Sequence, residues 1–130
     1  MIDLHVPVSP GELLDKITIL RIKGQRIADA AKLANVRLEL ELLQRTWATL
    51  GAATAAVAAD EQALQVVNEQ LWDIEDRIRD KEAARSFDQD FIELARAVYH
   101  RNDERAAIKK RINLALGSRI VEEKSYQPYR

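Results

Sequence analysis

The sequence contains no cysteine, which excludes disulfide cross-links and thiolate chemistry. Its only histidines are His5 and His100, too few for a zinc site of the usual Cys/His kind. Neither sign of charge is in excess. Lys and Arg total 20 against 21 Asp and Glu, so there is no overall drive toward nucleic acid or an anionic membrane surface. No stretch approaches the ~20 consecutive apolar residues of a membrane-spanning helix. The start, MIDLHVPVSPGE, lacks the cationic segment and long apolar run of a secretion signal. The expected location is therefore the cytoplasm. Glycine-rich loops are missing too, which removes a phosphate-cradling loop, and neither histidine has a serine beside it in sequence.

What is present suits one folded domain spanning residues 1–130. Hydrophobic residues make up 47% of the chain and charged residues 32%, a globular balance over a length able to enclose a core. In residues 2–8, Ile2, Leu4, Val6 and Val8 alternate with Asp3, His5 and Pro7. That is the period of a half-buried strand, and Pro7 marks it as an edge strand. Ser9, Pro10 and Glu12 then form a helix-start signature. It predicts a first helix over 10–31, with Leu13, Ile17, Leu20, Gly24, Ile27 and Ala31 on one stripe and Ile19 and Ile22 nearly opposite. Gly24 in that stripe suits a close helix crossing.

A second helix is expected over 35–50, on the seam Val36, Leu40, Leu43, Trp47 and Leu50, with Leu38 and Leu42 on its back. Residues 51–60 are rich in alanine without large anchors and read as a partly helical connection. Asp60 is the expected cap of a third helix over 60–85, and a short turn leads to a fourth over 88–116 that Gly117 stops. These two make a long antiparallel hairpin. Residues 117–130 form a tail in which Ile120 and Val121 suit a second short strand, available to pair with residues 2–8. The fold class is thus all-α: an antiparallel bundle of four main helices with a short N-terminal strand. The doubled apolar faces of the first two helices point to a homodimer.

The stretch QLWDIEDRIRDKE, residues 70–82, concentrates the acids. Residues turn by about 100° around a helix. Glu69, Asp73, Asp76 and Asp80 therefore fall opposite Leu64, Leu71 and Ile78, on a solvated face. Glu69, Asp73 and Asp76 recur at steps of four and three, so one Mg²⁺ can touch all three. Glu75 instead falls on or beside the apolar stripe, where an unpaired carboxylate is costly. Asn102, Arg105 and Lys109 of the fourth helix are its candidate partners. Asn68 comes level with residue 106 in the hairpin, and Arg21 borders the stripe of the first helix. Three readings stay open. These residues close a polar network that fixes helix register; they line a small-anion pocket with Arg105, Arg21 or Lys109 as clamp; or Glu75 is exposed in a looser bundle. Tyr126 and Tyr129, around Pro128, suit docking of a partner protein.

The segments SPGELLDKITILRIK, LWDIEDRIRDKE, FIELARAVYHRND and GSRIVEEKSY, in this order, resemble a family of small bacterial proteins without an assigned function. The resemblance spans essentially the whole chain, and its first and last segments are its most specific marks. It implies an accessory role in surface-polysaccharide assembly and carries over no catalytic residue. The acidic row also resembles that of the all-helical nucleotide pyrophosphohydrolases, which pair two Glu on one helix with Glu and Asp on the next. Here the preceding helix offers Glu39 and Glu41, two apart and on different faces. ELLDKITILRIK resembles the first helix of all-helical chorismate mutases, which would give Arg21, Lys32 and Arg105 dicarboxylate-binding roles.

The leading expectation is a non-catalytic, oligomerising accessory domain without a cofactor. Alternatives are a Mg²⁺-dependent nucleotide phosphohydrolase using Glu69, Asp73 and Asp76, and an anion-binding bundle.

Overall fold

A computed structural model describes residues 2–130, in which four α-helices carry the fold. They are α1 (Pro10–Arg26), α2 (Ala30–Ala48), α3 (Ala58–Ala83) and α4 (Gln89–Ala115), with a 3-10 helix over Gly51–Val57 between α2 and α3. Helices α3 and α4 form the expected antiparallel hairpin. Helix α1 packs against both, and α2 packs on α1. The two-faced helix α1 is thus flanked on both sides, which is why Ile22 is as buried as Leu14 and Ile17.

The start of α1 follows from its sequence. Ser9 Oγ accepts from the Glu12 N–H at 3.2 Å, and Pro10 sits where a missing N–H costs nothing. Its end differs from the expectation. The chain leaves the helix at Ile27, and Asp29 caps α2 by accepting from the Lys32 N–H at 2.9 Å. A competing N-cap therefore splits the stripe that reads as continuous to Ala31. Helix α3 begins before Asp60, whose carboxylate instead pairs with Arg111 at 3.0 Å. The alanine-rich connection does hold an anchor. Val57 is fully buried and joins Leu14, Leu64, Val67, Ile108 and Ile112 in the core, with Trp47 and Leu116 packed on it.

The hairpin turn is fastened by Lys81, whose ammonium donates to Asp88 at 3.0 Å while Asp88 caps α4. Gly117, at φ +65°, ends α4 as expected.

No strand occurs among the described residues. Residues 2–8 are exposed and irregular, because a strand needs a partner ladder and Ile120 and Val121 do not supply one. Gly24 faces open space, so it does not mark a crossing. Gly11 does: a Cβ there would lie 2.5 Å from the Lys109 carbonyl oxygen. No helix of the described chain is long and apolar enough to cross a membrane.

Candidate functional site

The close approach at Gly11 sets the geometry of the polar centre. With no side chain at this position, α1 lies against the C-terminal part of α4, and the Gly11 N–H donates to Asn113 Oδ1 at 2.7 Å. One turn along α1, this brings Asp15 opposite Arg105. Arg105 Nε donates to Asp15 Oδ1 at 2.9 Å, and a terminal guanidinium nitrogen donates to Oδ2. From α3, Asn68 Nδ2 donates to Asp15 Oδ1 at 3.0 Å and to Thr18 Oγ1 at 2.9 Å. Thr18 in turn donates to the Asp15 carbonyl at 2.8 Å. Asp15 is 2% exposed, so three helices meet on one buried carboxylate whose lone pairs are met by a two-point arginine and an amide.

Lys109, one turn beyond Arg105, extends this centre. Its ammonium lies 2.7 Å from Glu12, 3.1 Å from Glu122 and 3.8 Å from Asp15. Burial pushes the Asp15 carboxyl up, but the hydrogen bonds from Arg105 and Asn68 and the charges of Arg105 and Lys109 hold it below its ordinary value. Burial likewise pulls the Lys109 ammonium down. Its hydrogen bonds to Glu12 and Glu122 and the charges of Asp15 and Glu12 leave its pKa raised.

Two open grooves flank the centre, and Arg105 and Asn102 line both. The smaller, about 280 Å³, lies between α3 and α4 beside Ile19, with Asn68, Trp72 and Glu75 in its wall. The larger, about 600 Å³, lies between α4 and the C-terminal tail. The tail returns along α4: Glu122 reaches Lys109, Lys124 reaches Asp103 at 3.3 Å, and Tyr129 donates to Asp103 and packs edge-on against Tyr99 at 4.8 Å.

Of the expected polar set, the structure thus brings Asn68 and Arg105 together on a different acid, Asp15, while Glu75 and Asn102 line the groove beside them. Glu75 remains 45% exposed and, among the described residues, pairs only with Arg79, one turn away, at 3.5 Å. Its place at the stripe edge falls where the two helices border a groove rather than the core. Arg21 lies elsewhere, on Glu61 at 2.9 Å. Lys32 is exposed, and Arg21, Lys32 and Arg105 form no common clamp. Glu69 accepts from Gln65 and Asp73 from Arg26 at 2.7 Å. Among the described residues, no three His, Asp or Glu side chains are grouped to hold a metal ion, so Glu69, Asp73 and Asp76 share no cation position.

Residues 4–129 match the family of unknown function DUF6165. The chain belongs to that family. No curated protein and no solved structure matches it. In this DUF6165 chain, the segments SPGELLDKITILRIK and GSRIVEEKSY lie far apart in sequence. The structure brings them together at Lys109, through Glu12 and Glu122.

Proposed function

We propose that the chain is a non-catalytic accessory domain that works as a homodimer. The observation that carries this reading is the apolar surface of the N-terminal arm and the back of α2. Ile2 and Leu4 are 87% exposed and Val6 72%, and Leu38 and Leu42 stand out from a helix that packs on α1. Large apolar side chains left this exposed on two elements are what an interaction site would cover. A second copy suits it, because a net charge of −1 sets up little repulsion between copies, and an arm of alternating apolar residues gains a ladder by pairing with its own counterpart. The non-catalytic part rests on the buried Asp15 carboxylate, which is met by Arg105 and Asn68 as in a register-fixing network.

Sedimentation equilibrium of the full chain tests self-association. A dimer at micromolar concentration that Leu4→Asp or Leu38→Asp converts to a folded monomer is the expected result. A compact monomer for the unmodified chain overturns it. On the family resemblance, the setting is surface-polysaccharide assembly. Unchanged surface polysaccharide in cells lacking the protein would remove that part.

A further inference from the structure

We propose that the groove between α4 and the C-terminal tail binds a small carboxylate-bearing molecule, and that Glu122 occupies the carboxylate position in the free protein. Lys109 is the anchor. Its side chain is only 12% exposed, and its two close carboxylates are held very differently. Glu12 belongs to the first turn of α1 and is fixed by the close crossing at Gly11. Glu122 belongs to a tail without regular secondary structure, and its side chain is largely in solvent. A largely buried ammonium therefore receives one permanent partner and one tethered, displaceable partner.

The groove is also much larger than Glu122 needs. Its volume of about 600 Å³ is that of a small-molecule site, with Tyr99 and Tyr126 among its walls. Asn102, Arg105 and Lys109 recur at three and four along α4 and so present one face to it. Arg105 uses Nε and one terminal nitrogen on Asp15; among the described residues its other terminal nitrogen has no hydrogen-bond partner, nor does the Asn102 amide. Donors thus remain beside Lys109 for the body of a ligand whose carboxylate replaces that of Glu122.

Charge selects a carboxylate over a phosphate. Glu12 and Asp15 stand 2.7 and 3.8 Å from the same ammonium. Arg105, Lys110 and Lys124 on the same groove are already paired with Asp15, Glu123 and Asp103, so exchanging Glu122 for another monoanion leaves this balance unchanged, whereas a dianion adds a negative charge beside two existing ones. The tether works as a competitor, because a linked carboxylate has a high local concentration and occupies the site for part of the time.

Titration of the ¹⁵N-labelled full chain with glucuronate, followed by NMR, tests this, with glucose as the neutral and glucose 6-phosphate as the dianionic control. The expected results are saturable shifts at Lys109 and at residues 122–126, and a roughly threefold to tenfold tighter fit in Glu122→Gln, where the competitor is neutral. Lys109→Gln should lose binding. If that variant does not fold, Asn102→Leu, on the groove wall, should weaken it. The proposal is overturned if Glu122→Gln shows no saturable glucuronate shift at millimolar concentration, or binds no tighter than the unmodified chain. Glucose 6-phosphate binding as well as glucuronate overturns the carboxylate assignment. Self-association is read separately by sedimentation, so either result stands without the other.

Discussion

Asp15 and Arg105, 90 positions apart in sequence, form a two-point ion pair that joins α1 to α4. The pair is asymmetric. The carboxylate is buried to within 2% of its surface, while the arginine side chain keeps 30% of its own in contact with solvent. That asymmetry orders the two single substitutions. Arg105→Leu leaves a buried charge with Asn68 and a more distant Lys109 as its remaining support, and should cost about 3–5 kcal/mol. Asp15→Asn keeps the shape and leaves a cation that water can reach, so its cost should be smaller, about 1–3 kcal/mol. Urea unfolding of both variants measures this order, and a reversed order would refute the asymmetry.

The same carboxylate makes stability depend on acid. Its folded pKa lies below its unfolded value of about 3.9. The stabilisation is therefore complete above that value and is lost as pH falls through the folded pKa. Asp88 and Asp103, whose carboxyls are also held low, add to the same limb from the surface. Lys109 acts in the opposite direction. Its pKa is raised, so its contribution is complete below about 10.4 and is lost as pH rises through the folded value. Melting temperature against pH should show a plateau that falls off below about pH 4. Asp15→Asn should flatten the acid limb without removing it, and should weaken the alkaline limb, because the Asp15 charge helps hold the Lys109 pKa up. An unchanged acid limb would show that Asp15 does not drive it.

Gly11→Ala should destabilise through overpacking. The added Cβ meets the Lys109 carbonyl oxygen at 2.5 Å and Asn113 Oδ1 at 2.8 Å. The nearer atom is backbone and cannot rotate away, so α1 must move off α4, stretching the Gly11–Asn113 hydrogen bond. A loss of about 1–3 kcal/mol is expected. Gly24→Ala is the control. It lies in an exposed helical position with open space around it and should gain up to about 1 kcal/mol. Parallel thermal melts of the two variants, with opposite signs expected, check the location of the crossing.

The helices were legible because large apolar residues mark them at steps of three and four, and the hairpin followed from its short turn. The polar centre was only half legible. Asn68 and Arg105 stood out as polar residues on apolar faces, but the acid they meet did not. On α1 the visible stripe runs through Leu13, Ile17 and Leu20. A second buried row runs through Gly11, Asp15, Thr18 and Ile22, also at steps of four and three. It contains one large apolar residue, so a search for hydrophobic period passes over it. Asp15 carries no sequence signal of burial; the absence of a side chain at Gly11 brings it to α4. The N-terminal strand failed for the complementary reason. Alternation reports two different faces, not the presence of a partner to pair with.

Glu75 and Asn68 provide the sharpest contrast between sequence position and energetic role. Both lie at the α3–α4 boundary and both line the smaller groove. Glu75 keeps nearly half its side-chain surface and holds one loose pair with Arg79 at 3.5 Å, an exposed contact of small worth. Glu75→Gln should therefore change stability by no more than about 0.5 kcal/mol. Asn68 is buried and donates to both Asp15 and Thr18. Asn68→Ala removes both bonds and leaves the carboxylate with one fewer donor, at a cost of about 1–3 kcal/mol. Combined with Asp15→Ala, which removes the acceptor, the loss should fall short of the sum, because both substitutions break the same bond. Urea unfolding of the two single variants and the double variant supplies the cycle. Full additivity would mean that Asn68 acts independently of Asp15, and a large loss in Glu75→Gln would place the polar centre on the wrong acid.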